Sequence, residues 1–521
     1  MNLYKALVTV SGMTMLSRIT GLLREQLIAA MFGASAETDA FMIAFRIPNL
    51  LRRVFAEGAF SQAFVPILAE YKEKRGHDGA KVMVDHVATV LTWALALTSL
   101  AGVIGAPLIV YLTASGLSQH ADTFGITVVM TRIMFPYIAF MSLVALGGGI
   151  LNTWREFKVP AFTPVLLNLS SITASLFVAK HLQTPIYAMA FAVFVGGVLQ
   201  LVYQFPAMMR IGMLPKISLN PRAALSDPGV QRVLKQMVPA IGAVSVAQIS
   251  LVINTNIASH LREGSVSWLS WADRLMEFPT ALLGVALGTI LLPSLSKAHA
   301  DGDPLEYSSL LDWGLRLCFL LTLPAAVGLA TLSVPLTATL YHYHRFDELA
   351  VFMTSRALIA YGIGLTGLIT VKILAPGFYA KQDIKTPVKI AIGVLIATQL
   401  MNLVFINSKM LEEYRHAGLA LSIGLGACLN ASFLFWGLRS RGIYTPQPGW
   451  MVFLLRLTGA LILMAGISLW SSSHFDWIAL RAHPFMRVAD LAGVLLLCVA
   501  TYFGSLLLMG FRFSDFKRTA A

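Results

Sequence analysis

Long apolar stretches follow one another along the chain with little between them. Fourteen can be marked, near 4–31, 37–69, 83–113, 122–153, 160–179, 185–209, 233–260, 266–296, 309–340, 348–376, 385–406, 417–438, 450–471 and 486–510. Each is long enough for one crossing, because a membrane-spanning helix needs about 20 mostly apolar residues. Nowhere do apolar and polar residues alternate over the ten or so positions of a barrel strand. Nearly every stretch carries Gly, Ala, Ser or Thr at close spacing, the residues that let helices approach one another in lipid. The pattern predicts an all-α polytopic membrane protein with about 14 transmembrane helices.

Composition agrees and excludes the main alternatives. Of 521 residues, 57% are hydrophobic and 12% charged; soluble domains carry about 25% charged residues. A soluble enzyme, a disordered chain and a secreted scaffold are thereby ruled out. Cys318, Cys428 and Cys498 all lie in apolar stretches, where lone thiols behave as small hydrophobes rather than as disulfide or zinc ligands. The segment from Met1 to Lys5 enters the first apolar stretch without a small-residue cleavage site, so it reads as part of a first span.

The formal net charge of +13 would suggest nucleic acid in a soluble protein. Here the basic residues gather in alternate connections, twenty on one side against seven on the other. That bias assigns the richer side to the cytoplasm. It predicts both termini cytoplasmic and no nucleic-acid partner.

The chain also repeats itself weakly. Ile150-Leu151 and Thr163-Pro164-Val165 recur as Ile373-Leu374 and Thr386-Pro387-Val388, 223 residues later. Val65-Pro66 and Leu292-Pro293 are 227 apart, and Gly196 to Gln200 resembles Gly426 to Asn430 at 230. An offset of six spans preserves orientation, so the copies would be parallel repeats with a substrate site between them near mid-membrane. The expected organisation is an N-terminal six-helix lobe over 1–225, a second over 226–441, and two additional helices over 442–521.

Ionisable residues inside spans cost about 2.5–3.5 kcal/mol each on insertion scales and mark functional positions by default. The first span holds Arg18, Arg24 and Glu25; the second holds Asp39, Arg46, Arg52, Arg53 and Glu57; the eighth holds Asp273, Arg274 and Glu277. Arg132, Arg316, Arg356 and Lys372 are isolated examples. Asp39, Arg46 and Arg53 are seven apart and Glu57 lies four further on, so these four share one helix face. Pro48 interrupts the hydrogen-bond ladder of the second span and permits a bend. Guanidinium groups stay charged and present paired donors suited to phosphate. Arg18, Arg24, Arg52 and Arg274 converging from three spans would form an anion cage that fits a diphosphate. Asp39 and Glu57 would hold the arginines when the cage is empty.

Blander readings exist for the same residues. Arg53 with Glu57, and Arg274 with Glu277, would also serve as structural ion pairs. Arg46, Arg316 and Arg356 would snorkel from span ends. His342 and His344 read as a solvated loop, and Trp268 and Trp271 as packing or interface residues. No Ser/His/Asp or Cys/His arrangement is placed for catalysis, so the chain is not expected to be an enzyme or to carry a cofactor.

The run Ser17-Arg18, Arg24, Thr38 to Phe41, Pro48-Asn49-Leu50-Leu51-Arg52-Arg53 and Phe55 to Pro66 closely resembles the MurJ (MviN) lipid II flippase family. So do Ala272 to Pro279, Pro376 to Tyr379 and Asp383 to Pro387, and the similarity runs from Met1 to about Phe513. The resemblance implies two six-helix lobes of the multidrug and polysaccharide exporter superfamily, with two extra helices forming a groove for a lipid tail. Its implied substrate is lipid II, an undecaprenyl diphosphate bearing a disaccharide-pentapeptide, carried from inner to outer leaflet of the bacterial cytoplasmic membrane. The family's substrate-binding positions fall on Arg18, Arg24, Asp39, Arg52, Glu57 and Arg274. Ser17, Asn49, Arg53, Asp273 and Glu277 adjoin them as secondary candidates. Membrane lipids and transient contacts with cell-wall synthesis proteins are the further partners it implies. Some members are similar in carrying a sodium site of acidic and amide residues in the second lobe. Here the seventh span offers Asn254 and Asn256 without an acid and the eleventh offers Asn402, so no metal is assigned.

Three rivals are distinguishable. An exporter of cationic drugs would favour an acidic or aromatic cavity. A flippase for another polyprenyl-diphosphate glycan would share the cationic one. An enzyme acting on lipid-linked sugars would need carboxylates or His on a sizeable outer loop, and the outer loops are short.

Overall fold

The computed structural model describes residues 3–53 and 60–512, without the side chains of 3–11, 62, 238–247, 285–287, 289–290 and 410. Among the described residues the chain is helical, with no strand. It divides into two compact units, Met1–Val266 and Ser267–Ala521.

The first unit contains α1 (Leu3–Phe32), α2 (Ala36–Leu51), α3 (Ser61–Ile104), α4 (Ala106–Thr113), α5 (Ala121–Met134), α6 (Tyr137–Thr153), α7 (Lys158–Thr173), α8 (Tyr187–Arg210), α9 (Pro221–Leu225) and α10 (Pro228–Ser259). At the boundary begins α11 (Ser265–Ala300). The second unit continues with α12 (Pro304–Thr331), α13 (Ser333–Tyr341), α14 (Glu348–Leu374), α15 (Pro376–Tyr379), α16 (Lys385–Ile406), α17 (Arg415–Ser440), α18 (Trp450–His474) and α19 (Pro484–Leu508).

Starts and stops follow ordinary capping chemistry. Ser35, Asp227, Asp303 and Asp347 each accept a backbone N–H in the first turn of the helix they precede. Pro228 and Pro304 occupy first-turn positions where no N–H is needed. In α3 the helix breaks at Gly76, whose φ of 66° and ψ of −165° suit a residue without Cβ. The polar stretch from Lys72 to Lys81 is therefore helical on both sides of that break, where hydropathy alone places a loop.

Among the described residues ten stretches are long and apolar enough to cross a membrane, including Ala63–Ile104, Ala121–Thr153 and Glu348–Tyr379. The charge-bearing α1, α2 and α11, with α10, are the other long helices, and the set is consistent with about fourteen crossings.

Helix boundaries recur with one spacing. The ends of α3 and α12, and the starts of α4 and α13, of α5 and α14, and of α7 and α16, are all 227 residues apart. Arg155 and Gln382, also 227 apart, share an unusual positive φ of 63° and 61° in the turn before α7 and α16. The expected match of Thr163-Pro164-Val165 with Thr386-Pro387-Val388 is therefore four residues out of register; Val159-Pro160 is the true counterpart of Thr386-Pro387. A Thr-Pro-Val triplet sits later in α7 by coincidence of composition.

Packing is local to each unit. The first centres on Phe64, Leu68, Met83, Val84, Ile150 and Met208. There α10 is bound to α3: His86 Nδ1 lies 3.0 Å from Asp227 Oδ2 and Arg232 pairs with Glu70 at 2.7 Å. The second centres on Leu311, Leu315, Ile369, Ile373, Phe378 and Leu438. In it α14 and α17 cross so closely that a Cβ on Gly364 would lie 2.1 Å from Gly424 Cα, the small-residue contact expected of helices in lipid.

Candidate cationic substrate site

In the first unit the site is carried by α1, α2 and α7. Arg24 is largely buried, with 16% of its side chain exposed. Its Nη2 donates to Glu25 Oε1 at 2.5 Å and its Nη1 to Asn168 Oδ1 on α7 at 3.1 Å. Asn168 in turn donates through Nδ2 to the Ser17 carbonyl and to Thr20 Oγ1, both at 3.0 Å. This amide thus fixes the guanidinium and docks α7 against α1. Arg24 Nε is buried with no acceptor among the described residues. A buried donor without a partner costs about 1–3 kcal/mol, so an incoming oxyanion would find a donor already stripped of water. Arg18, six residues earlier on α1, is exposed.

On α2, Pro48 lies inside the helix, and the backbone widens into π-helical turns at Arg52 and Arg53. Asn49 Oδ1 accepts from Arg52 Nε at 3.1 Å and Nη2 at 2.9 Å. Arg46 and Arg53 are half-buried. Glu57 lies outside the described residues.

Asp39 is only 6% exposed, and its Oδ2 accepts the Gly264 N–H at 2.8 Å. Glu263 Oε1 accepts the Ala36 N–H at 2.8 Å. Two carboxylates, one from each side, therefore tie the start of α2 to the 260–264 turn. The bonds that orient Arg24 and Arg52 include side-chain amides, Asn168 and Asn49, beside the Arg24–Glu25 ion pair, and Asp39 accepts from backbone. An amide holds a guanidinium without neutralising it.

In the second unit Arg274 Nη1 bonds Glu277 Oε2 at 2.9 Å, with the two side chains 39% and 49% exposed. Asp273 is exposed. Asp383, the acid nearest the eleventh span, accepts from Thr386 N–H and hydroxyl and from Arg441 Nη1 at 2.7 Å. Those bonds hold its carboxyl down at about 2. With a guanidinium already beside it, Asp383 does not suit a sodium ion, and among the described residues no group of three His, Cys, Asp or Glu could hold a metal.

A family model described as "Lipid II flippase MurJ" matches residues 28–486. The chain belongs to the MurJ lipid II flippase family. It is 61% identical over 520 residues to the lipid II flippase MurJ of Burkholderia cenocepacia, covering all of both chains. A probable lipid II flippase MurJ of Vibrio cholerae is 37% identical over 525 residues, 99% of this chain and 98% of that one. Among solved structures, a MurJ in an inward closed conformation is similar with a TM-score of 0.77 at 25% identity, covering 96% and 100%. An inward-facing multidrug transporter of the MATE family has a TM-score of 0.67 at 14% identity, covering 84% and 98%, a likeness of fold alone.

The structure of this MurJ family member adds residues that charge patterns miss. Asn168 and Glu263 are two of them. The 144-residue separation from Arg24 hid the first; the second lies between the seventh and eighth apolar stretches, outside the charged spans. His342 also departs from expectation. It is 3% exposed rather than solvated, and burial with the nearby Arg481 and Arg487 pushes its imidazole down to about 4. Trp271 is fully buried against Tyr341 and Phe346, and Trp268 is buried against His416, so both are packing residues.

Proposed function

We propose that this protein flips lipid II from the inner to the outer leaflet of the bacterial cytoplasmic membrane by alternating access. The observation that carries the reading is Arg24: a guanidinium fixed by Asn168, with a buried Nε that has no acceptor among the described residues. Such a donor set suits the diphosphate of a lipid-linked sugar. Arg18, Arg52 and Arg274 contribute the remaining charge, with Asp39 and Glu57 as accompanying acids and Ser17, Asn49, Arg53, Asp273 and Glu277 supporting them.

In this reading 1–225 and 226–441 are the two lobes that rock, and 442–521 supplies two helices beside which the lipid tail travels. Both termini face the cytoplasm. The head group enters from the cytoplasmic side, binds the arginines, and is released outside when rocking separates them and affinity falls. Membrane potential would contribute about 2.3 kcal/mol per charge per 100 mV. Transport in reconstituted vesicles that ignores the potential would remove that contribution.

The test is outer-leaflet accessibility of lipid II in cells depleted of this protein and supplied with the native chain or with R18A, R24A, R52A or R274A at matched levels. The native chain restores accessibility and the variants fail. Full rescue by all four would reduce the arginines to structural roles. Failure of a well-folded native chain would point to a different polyprenyl-diphosphate glycan.

A further inference from the structure

Lys372 lies near the end of α14, where a lysine is expected to extend its ammonium toward the membrane–water interface. The structure turns it the other way. The carbonyl of Lys372 sits beside Gly288 of α11, 3.6 Å from where a Cβ there would stand. From that level the side chain runs back along α11 past Gly284, where a Cβ would be 2.6 Å from Lys372 Cδ and 3.1 Å from Nζ. Its Nζ ends 3.4 Å from the Thr280 carbonyl. The two glycines thus make a trough along which the side chain runs about one helical turn toward the start of α11, from the level of Gly288 to that of Gly284. Glu277 lies seven residues before Gly284 on the same helix face, and the charge of its carboxylate acts on the ammonium. That same carboxylate holds Arg274 at 2.9 Å. One acid therefore stands between two cations, one bonded and one held nearby.

We infer that Lys372 is a positioning residue that offsets the charge of Glu277 and so frees Arg274 for the substrate diphosphate. The inference rests on the proposed role of Arg274. When Arg274 turns to a phosphate oxygen, Glu277 loses its partner and would both draw the guanidinium back and repel the anion. The Lys372 ammonium, already delivered through the trough, supplies the compensating charge. Lysine suits this place because its ammonium is compact and its stem flexible.

The experiment measures lipid II binding to the full chain in nanodiscs for the native protein, R274A, K372M, G284A, E277Q, and K372M and G284A each combined with E277Q. K372M is expected to bind roughly tenfold more weakly than the native chain, and G284A, which displaces the lysine without altering charge, to follow it. Combined with E277Q, neither change should weaken binding by more than about twofold relative to E277Q alone. Equal losses in both backgrounds, or native binding by K372M, would overturn the inference. If K372M does not fold, the G284A comparison decides in the same way. Unchanged binding by R274A would overturn the role of Arg274 and this inference with it. Weakened binding by R274A without coupling between Lys372 and Glu277 would overturn this inference alone.

Discussion

Arg24 is held both by the adjacent Glu25 and by a neutral residue 144 positions away. Asn168 offers its oxygen to the guanidinium and its amide hydrogens to Ser17 and Thr20, so one side chain serves both the charge and the α1–α7 packing. N168L removes all three bonds. Hydrogen bonds to charged groups are worth about 1.5–3 kcal/mol, and the expected result is lipid II binding weakened at least tenfold with a lower melting temperature. N168D separates the two roles: Arg24 keeps its acceptor, while the Ser17 carbonyl loses its donor. It should retain more binding than N168L at similar cost in stability. Comparable binding loss in both variants would show that the helix packing, not the guanidinium contact, sets affinity. The arginines were legible in the sequence because a charge inside a span is expensive. Asn168 was not, because an amide in a span is common and its partners are distant in sequence.

Helices were mostly legible, because apolar length dictates them, but their internal breaks and attachments were not. Nothing in hydropathy indicates that the backbone widens at Arg52 and Arg53, or that α3 continues as helix through charged residues on either side of Gly76. The attachment of α18 is a stronger case. Asp312, 3% exposed on α12, accepts Tyr444 hydroxyl at 2.8 Å, Gln447 N–H at 3.0 Å and Trp450 Nε1 at 2.7 Å through one oxygen. Its other oxygen accepts Arg316 Nε at 2.8 Å, and Arg316 reaches on to the Pro448 carbonyl at 2.9 Å. Arg316 is thus engaged by the 445–450 linker rather than snorkelling as its sequence context suggested. Removing one partner of a buried ion pair typically costs about 3–5 kcal/mol. D312A should lower the melting temperature of the purified protein markedly and open the 441–449 linker to protease. D312N, which keeps an acceptor for the three donors, should fall between. Protease resistance in D312A equal to the native chain would refute this cluster as the tie between α18 and α12.

At the scale of the whole molecule, the duplication and the charge bias constrain each other. If the two halves are copies, the equal spacing of their helix starts predicts that corresponding helices cross the membrane in the same sequence of directions. The offset must then contain an even number of crossings for the basic connections to fall on one side in both halves. With a cytoplasmic N-terminus, Lys72 to Lys81 and the Arg439–Arg441 segment are predicted to face the cytoplasm, and the turn at Ser115–Gln119 and the loop at 412–414 to face outward. In a chain whose Cys318, Cys428 and Cys498 are replaced, a membrane-impermeant maleimide should reach S118C and E413C in intact spheroplasts. It should reach E73C and S440C only after permeabilisation. Glu73, Ser118, Glu413 and Ser440 are all exposed, so failure to label would reflect sidedness rather than burial. Labelling of S440C from outside would break the even count and with it the cytoplasmic C-terminus. Labelling of E73C from outside would invert the first half, and the arginines of α1 and α2 would then meet their substrate from the opposite leaflet.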